Sequence, residues 1–450
     1  MTTPAAPIKP RDRDAILLSL GSGVVPRTGH MHIQVGRTAE LKALLADVER
    51  IAQGGSAFRL VIGDYGAGKT FFLHLVRAIA LEKRLVAVHA DLTPDKRLQA
   101  AAGQARGLYT ELMKNMATRS RPEGGAMASV LERFVTRAIS AGEKTGAAPE
   151  QVIRTRLARL EECVGGFDLA RVVAAYWQGF DRADDRLQTA AVRWLRGEYA
   201  TRSEARTDLG VRTIVDDASF YDHLKLLARF VRMAGYEGLL VCLDELVNLY
   251  KLSHTQARNA NYERILTILN DCLQGGAEGL GFLLGGTPEF LLDTRRGLYG
   301  YPALQSRLAE NAFATGGLID HSGPVLRLAS LTAEDFYVLL LNIRNVHAGG
   351  DASRHVLPEA GLTAFLDHCS RQIGDRYFRT PRTCIKAFVN LLAVLDQNPG
   401  ARWEDLLGTV EVQAERDPAL EPVDGASGGG SGGVTGEVSG GEELIAFRLN

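Results

Sequence analysis

The octapeptide Gly63-Asp64-Tyr65-Gly66-Ala67-Gly68-Lys69-Thr70 lies between the apolar runs Phe58 to Ile62 and Phe71 to Ile79, and it constrains this chain more than any other stretch. An apolar strand, a glycine-rich turn and an apolar helix, in that order, predict an α/β fold with a parallel sheet core. Gly63, Gly66 and Gly68 let successive backbone N–H groups converge on an anion with no Cβ in the way. The helix beginning near Lys69 adds unpaired amides and the partial positive charge of its N-terminus. Lys69 is then placed for β- and γ-phosphates. The Thr70 hydroxyl is placed for Mg²⁺, a hard cation that prefers oxygen ligands and keeps several waters. Residues 63 to 70 are therefore predicted to bind a nucleoside triphosphate. A glycine-rich turn with a chance Lys-Thr is set aside, because both flanks are what the pattern requires.

A second piece of chemistry lies far downstream. Leu239 to Leu243 is an apolar run that ends in Asp244-Glu245, the form of a Walker B strand. Asp244 is predicted to hold Mg²⁺ together with Thr70, and Glu245 to polarise the water that attacks the γ-phosphate. A strand ending in Asp-Glu is weak evidence alone and strong evidence behind a P-loop. The next apolar run, Leu280 to Leu284, leads into Gly285-Gly286-Thr287-Pro288. Two compatible readings stand for Thr287: it senses the γ-phosphate, or it begins a helix as a Thr-Pro pair. Arg307, in Tyr301 to Leu308, reads either as an arginine finger presented to a neighbouring subunit or as a surface salt-bridge partner. Arg382 opens the last long helical run, where a cation opposes the helix dipole, and a phosphate is the expected reason.

At 450 residues the chain exceeds one ordinary core, so two domains or one domain with a large insertion is expected. About 145 residues separate the strand Leu85 to Ala90 from the strand at 238–243, far more than one crossover helix needs. Their spacing predicts helices over Tyr109 to Met116, Ala126 to Ile139, Pro149 to Val164, Leu169 to Phe180, Leu187 to Tyr199 and Ser219 to Met233. Residues 92 to 212 hold 20 Lys and Arg against 15 Asp and Glu. That surplus reads more simply as a solvated helix surface than as a DNA-facing one. The expected organisation is an N-terminal arm (1–34), a core (35–324) with a helical insertion at about 93–235, a C-terminal helical lid (325–415) and a tail (416–450). The lid is expected to open with a Thr332–Asp335 cap, and Thr38 to cap the helix after Val35-Gly36-Arg37. The tail is Gly/Ser-rich and ends in the apolar peptide Glu442 to Asn450, either a strand-adding segment or frayed chain.

The whole-chain balance of 52 basic and 53 acidic residues advertises neither nucleic acid nor an anionic membrane globally. Five scattered cysteines argue against a zinc site or a disulfide framework and fit a reducing cytoplasm. Met1 to Arg13 does not read as a secretory signal, and no apolar run is long enough to span a membrane. A soluble, cytoplasmic protein is expected.

Together, Val35-Gly36-Arg37 with Glu40 and Leu41, the motif at 63–70, the strand at 239–245, Thr287, Ser306-Arg307-Leu308 and Arg382 resemble the AAA+ ATPases, within them the ORC/Cdc6-type group. More narrowly, Ser22 to Arg27, Val35 to Arg37, Gly63 to Thr70, Tyr109 to Met113 and Pro122 to Gly125 are similar to the ATP-binding BrxC/BrxD proteins of BREX phage-defence loci. The resemblance implies ATP as the nucleotide, an adenine pocket near Val35 and Gly36, γ-phosphate sensing by Thr287 and Arg382, and an arginine finger at Arg307. It also implies homo-oligomers, a role directed at DNA, and a helicase or other defence protein as partner. ORC-type proteins usually carry a winged-helix domain after the lid, whereas only about 50 residues follow position 400 here. Binding DNA through an assembled ring or the insertion is the expectation instead. The rival reading is an ATP-dependent switch or scaffold that signals to a protein partner with little turnover. A metabolic kinase lacks any recognisable phosphoryl-acceptor site.

Overall fold

The computed structural model describes residues 8–100, 103–314, 318–379 and 381–408. Five parallel strands form one sheet: β1 (Ala57–Ile62), β2 (Val86–Asp91), β3 (Leu239–Asp244), β4 (Leu280–Gly286) and β5 (Val325–Arg327), in the spatial order β2-β3-β4-β1-β5. The fold is the mixed α/β, P-loop NTPase-like architecture expected from the sequence.

Side-chain alternation along the strands decides what covers each face of the sheet. Phe58, Leu60 and Ile62 of β1, Val86 and Val88 of β2, Leu239 and Val241 of β3 and Phe282 of β4 share one core with Tyr109, Phe134, Trp194, Phe220 and Phe230 of the insertion. Val61, Ala87, Leu240, Cys242 and Leu283 point the other way, into a core with the helix Thr38–Ala52 and the P-loop helix Lys69–Glu82. Burial on both faces is why these strands read as unbroken apolar runs. Arg59 breaks the pattern. Its guanidinium is buried in β1, where Nη2 donates to Asp47 Oδ1 at 3.2 Å, Nε pairs with the other oxygen, and Nη1 donates to the carbonyls of His321 (2.8 Å) and Gly323.

Between β2 and β3 the insertion has seven helices among the described residues: Gln104–Lys114, Met127–Thr145, Pro149–Glu161, Gly166–Asp181, Asp185–Leu195, Arg202–Leu209 and Phe220–Met233. Arg202–Leu209 was not legible as a helix, since only Ala205 and Leu209 are buried, and it begins at a Thr201 cap that accepts from Glu204 N. The insertion shares its core with the sheet, so it thickens one layer of the fold.

The helices after β5, the expected lid, are Ala333–His347, Glu359–Ile373, Arg376–Arg379, Arg382–Gln397 and Trp403–Leu407 among the described residues. Thr332 and Asp335 form the expected capping box. Ile8, Ile16 and Ile33 of the N-terminal stretch are buried in the lid core beside Phe336, Phe365 and Phe388. Val325–Arg327 pairs with β1. Leu328 to Leu331 connect that edge strand to the lid. Thr38 does not cap its helix: Arg37 holds the N-cap position in a left-handed conformation, φ 56°, with no side-chain cap. The tail peptide Glu442 to Asn450 and the Gly/Ser stretch before it lie outside the described residues. No helix among the described residues is long and apolar enough to cross a membrane.

Candidate nucleotide site

The parallel sheet brings the C-terminal ends of β1, β4 and β3 side by side, the edge at which ligands of open α/β sheets bind. The P-loop leaves β1, and Gly63 N donates to Gly286 O at the end of β4. Gly66 (φ 77°) and Gly68 (φ 83°) take left-handed conformations that turn the loop Gly63-Asp64-Tyr65-Gly66-Ala67-Gly68 into the P-loop helix. Lys69 Nζ donates to the Gly63 and Asp64 carbonyls, each at 2.8 Å, so its ammonium lies over the mouth of the loop.

Two chain segments far apart in sequence meet at Thr70, whose Oγ1 donates to Asp244 Oδ2 at 2.7 Å. Asp244 is buried and its other oxygen accepts the Glu245 N–H at 2.8 Å. A Cβ on Gly285 would stand 2.3 Å from Asp244 Oδ1, so the carboxylate occupies space that only glycine leaves open. A hydroxyl and a carboxylate, both hard oxygens, converge in a cradle closed by glycine. That donor set fits Mg²⁺, which takes one or two protein oxygens and completes its shell with phosphate and water.

Glu245 has a left-handed backbone, φ 58°, an uncommon conformation for a residue with a side chain. Leu246 N then bonds back to Gly285 O. The residue stands exposed at the rim, while desolvation of its carboxyl, then Asp244 and Asp91, push its pKa up and Lys69 and Lys251 pull it down. Asp91, which ends β2 in register with Asp244, is likewise raised by desolvation and then by Asp244. From the sequence alone Asp91 reads only as the end of the second strand; like Asp244, it is a carboxylate at the end of an apolar strand.

Thr287 is buried just past β4 and caps the short helix Pro288–Leu292 by accepting from Phe290 N at 3.4 Å. Arg382 is brought to the P-loop: its Nη1 lies 3.4 Å from Tyr65 Oη and its guanidinium 5.5 Å from the Tyr65 ring centroid. Arg307 is not joined to the P-loop of its own chain. Its Nε donates to Asn270 Oδ1 (2.7 Å) and its Nη1 to Ala303 O (2.9 Å) on an exposed surface. Val35 packs with Phe71 against the lid core. A Cβ on Gly36 would lie 2.9 Å from Asp335 Oδ1, so glycine permits this turn to abut the first lid helix.

Behind the carboxylates is a small cavity lined by His74, Arg77, His89, Asp91, Cys242 and Asp244. His30 stacks on His74 (5.8 Å between centroids), and His74 meets His89 edge-on (5.9 Å). Desolvation first, then nearby cationic groups, holds His74 at about 4 and His89 at about 3, and desolvation followed by His74 holds His30 at about 4. All three imidazoles are therefore neutral at neutral pH.

A glycine-rich loop after β1, a Lys-Thr pair opening a helix, and an Asp-Glu pair ending β3 with one strand between define a protein of the P-loop NTPase-like class. The family model described as BREX system ATP-binding protein BrxC/D matches residues 8–411. The chain belongs to that family of ATP-binding proteins of BREX phage-defence systems. No curated protein and no solved structure matches it significantly.

Proposed function

We propose that this protein is a Mg²⁺-dependent ATP hydrolase of the AAA+ type, oligomeric and cytoplasmic, that acts on DNA or loads and regulates a DNA-acting partner such as a helicase. The contact between Thr70 and Asp244 carries the reading, because it joins the P-loop to a carboxylate pair suited to hydrolysis. In this reading the P-loop amides and Lys69 hold the triphosphate, and Thr70 and Asp244 hold the metal. When bound, the metal neutralises charge between the β- and γ-phosphates. Glu245 orients and polarises the attacking water, and its raised proton affinity suits a base that must take up a proton. Thr287 and Arg382 sense the γ-phosphate, and Val35 and Gly36 border the adenine. Arg307, exposed and bonded to Asn270 and Ala303, suits a finger offered to a neighbouring copy.

Glu245→Gln tests this directly. Turnover is expected to fall by about 10²-fold or more while ATP is retained, and light scattering with ATP, Mg²⁺ and DNA is expected to show a trapped oligomer that engages DNA. A wild-type protein with negligible turnover, and a constant mass indifferent to DNA, would favour the ATP-dependent switch or scaffold instead.

A further inference from the structure

The turn Val35-Gly36-Arg37 borders the expected adenine pocket, and the motif assigns no task to Arg37 itself. Its guanidinium joins two carbonyls that belong to different working parts. Nη2 donates to Ala67 O inside the P-loop, and Nη2 and Nε donate to Ala329 O at 3.2 and 3.3 Å. Ala329 lies in the short connector between β5 and the first lid helix. One rigid planar fork therefore spans the loop that receives the phosphates and the segment about which the lid is attached.

Three further observations converge on the same place. Gly36 (φ 60°) and Arg37 (φ 56°) are both left-handed, a conformation that disfavours an arginine and persists only where surrounding contacts hold it. A Cβ on Gly68 would approach Arg37 Nη1 to 3.4 Å, and one on Gly63 would touch Leu328 Cβ at 3.4 Å, so the P-loop lies against both the guanidinium and the connector. Gly36 also abuts Asp335, a member of the capping box of the first lid helix. Any movement of the Ala67 carbonyl must be followed by Arg37 or must break its bond.

We infer that Arg37 is a positioning residue that couples phosphate occupancy of the P-loop to the geometry of the core–lid connector. The inference rests on ATP binding at the P-loop and on neither hydrolysis nor assembly. When phosphates order the loop amides, the Ala67 carbonyl is set, Arg37 is set with it, and the connector carbonyl at 329 is held in turn. Arginine suits the task because its planar fork serves two acceptors at once, which a lysine ammonium on a flexible stem does less well.

The test uses the full chain. Amide hydrogen exchange is followed at residues 328–332 with and without a slowly hydrolysed ATP analogue, and the affinity for that analogue is measured separately by fluorescence. The variants are Arg37→Asn, chosen because asparagine tolerates a left-handed backbone, and Arg37→Lys, which keeps the charge without the fork. In the wild type the analogue is expected to slow exchange in the connector by about 5-fold or more, the scale of an ordinary coupling energy. Arg37→Asn should still bind the analogue within a few-fold of wild type, yet lose the connector response, with Arg37→Lys between the two. Retention of the full response in Arg37→Asn, or abolition of binding by both variants, would overturn the inference, the latter by making Arg37 part of the binding surface. Wild-type protein that fails to bind the analogue would instead count against the nucleotide site itself.

Discussion

Gly285→Ala is the smallest change that reaches the proposed metal cradle without altering any of its ligands. Gly285 lies in β4, between β1 and β3, in a strand backbone that alanine adopts without strain. The added methyl would sit 2.3 Å from Asp244 Oδ1, 3.2 Å from its Cγ and 3.3 Å from Leu73 Cδ2. Ordinary contact starts near 3.4 Å, so the carboxylate must retreat by roughly 1 Å, a displacement of the size that costs about 10²-fold in rate when it falls on a reacting centre. Retreat breaks the 2.7 Å bond from Thr70 and the 2.8 Å bond from Glu245 N. Losing one such bond to a charged group costs about 1.5–3 kcal/mol, and the crowding itself about 1–3 kcal/mol. The assay is ATP turnover as a function of Mg²⁺ concentration, normalised to folded protein. Turnover is expected to drop by about 10²-fold, with the Mg²⁺ requirement shifted upward. Gly286→Ala is the control: its methyl would meet Phe290 at 2.9 Å and Ile62 at 3.2 Å, which strains the core and leaves Asp244 alone. Its stability should fall while the Mg²⁺ requirement stays as in wild type. Gly285→Ala with wild-type turnover and Mg²⁺ dependence would refute the cradle.

The row of neutral imidazoles gives a pH prediction with a definite sign. His30, His74 and His89 have folded-state values near 4, 4 and 3, below the ordinary 6.5. The unfolded chain therefore binds more protons than the folded one below about pH 6.5, so their contribution to stability is complete above that value and is lost as pH falls toward 4. Urea midpoints at about pH 7.5 and pH 5 should lie closer together in His74→Phe than in wild type, and an unchanged gap would show that this histidine does not titrate on unfolding. For Arg59→Met, which leaves buried Asp47 with only the exposed Arg50 at 3.5 Å, a loss of about 3 kcal/mol, the low end for a broken buried pair, is expected in urea denaturation. Both side chains of that pair are only 6% exposed, and a loss below about 1 kcal/mol, the range of surface pairs, would contradict that burial.

Legibility followed the range of the interactions involved. The P-loop, the β3 carboxylates and the capping box at Thr332 were readable because each depends on neighbours within a few residues, and the strands were readable because burial on both faces leaves continuous apolar runs. The place of Thr38 was misjudged because Gly36 and Arg37 turn left-handed against the lid, a constraint imposed from about 300 residues away. Arg59 was invisible as a buried charge, since a strand pattern tells the face of a side chain but not that Asp47 waits there. Thr287 shows a local rule and a tertiary position acting on one residue: it caps its helix and also ends the strand next to the P-loop.

What the sequence alone determined was the chemistry available: a glycine-rich turn shaped for an anion, a hydroxyl and a carboxylate pair of hard oxygens, and a helix-rich insertion between two strands. Those features are local, written in residue type and spacing. The tertiary structure decided which of them meet. Parallel pairing in the order β2-β3-β4-β1-β5 set Asp244 against Thr70 across 174 positions of chain. The folding of the lid put Arg382 on Tyr65, and the connector carbonyl of Ala329 came within reach of Arg37. Strand order and helix docking are settled by the burial of whole faces, which no short stretch of residues specifies by itself.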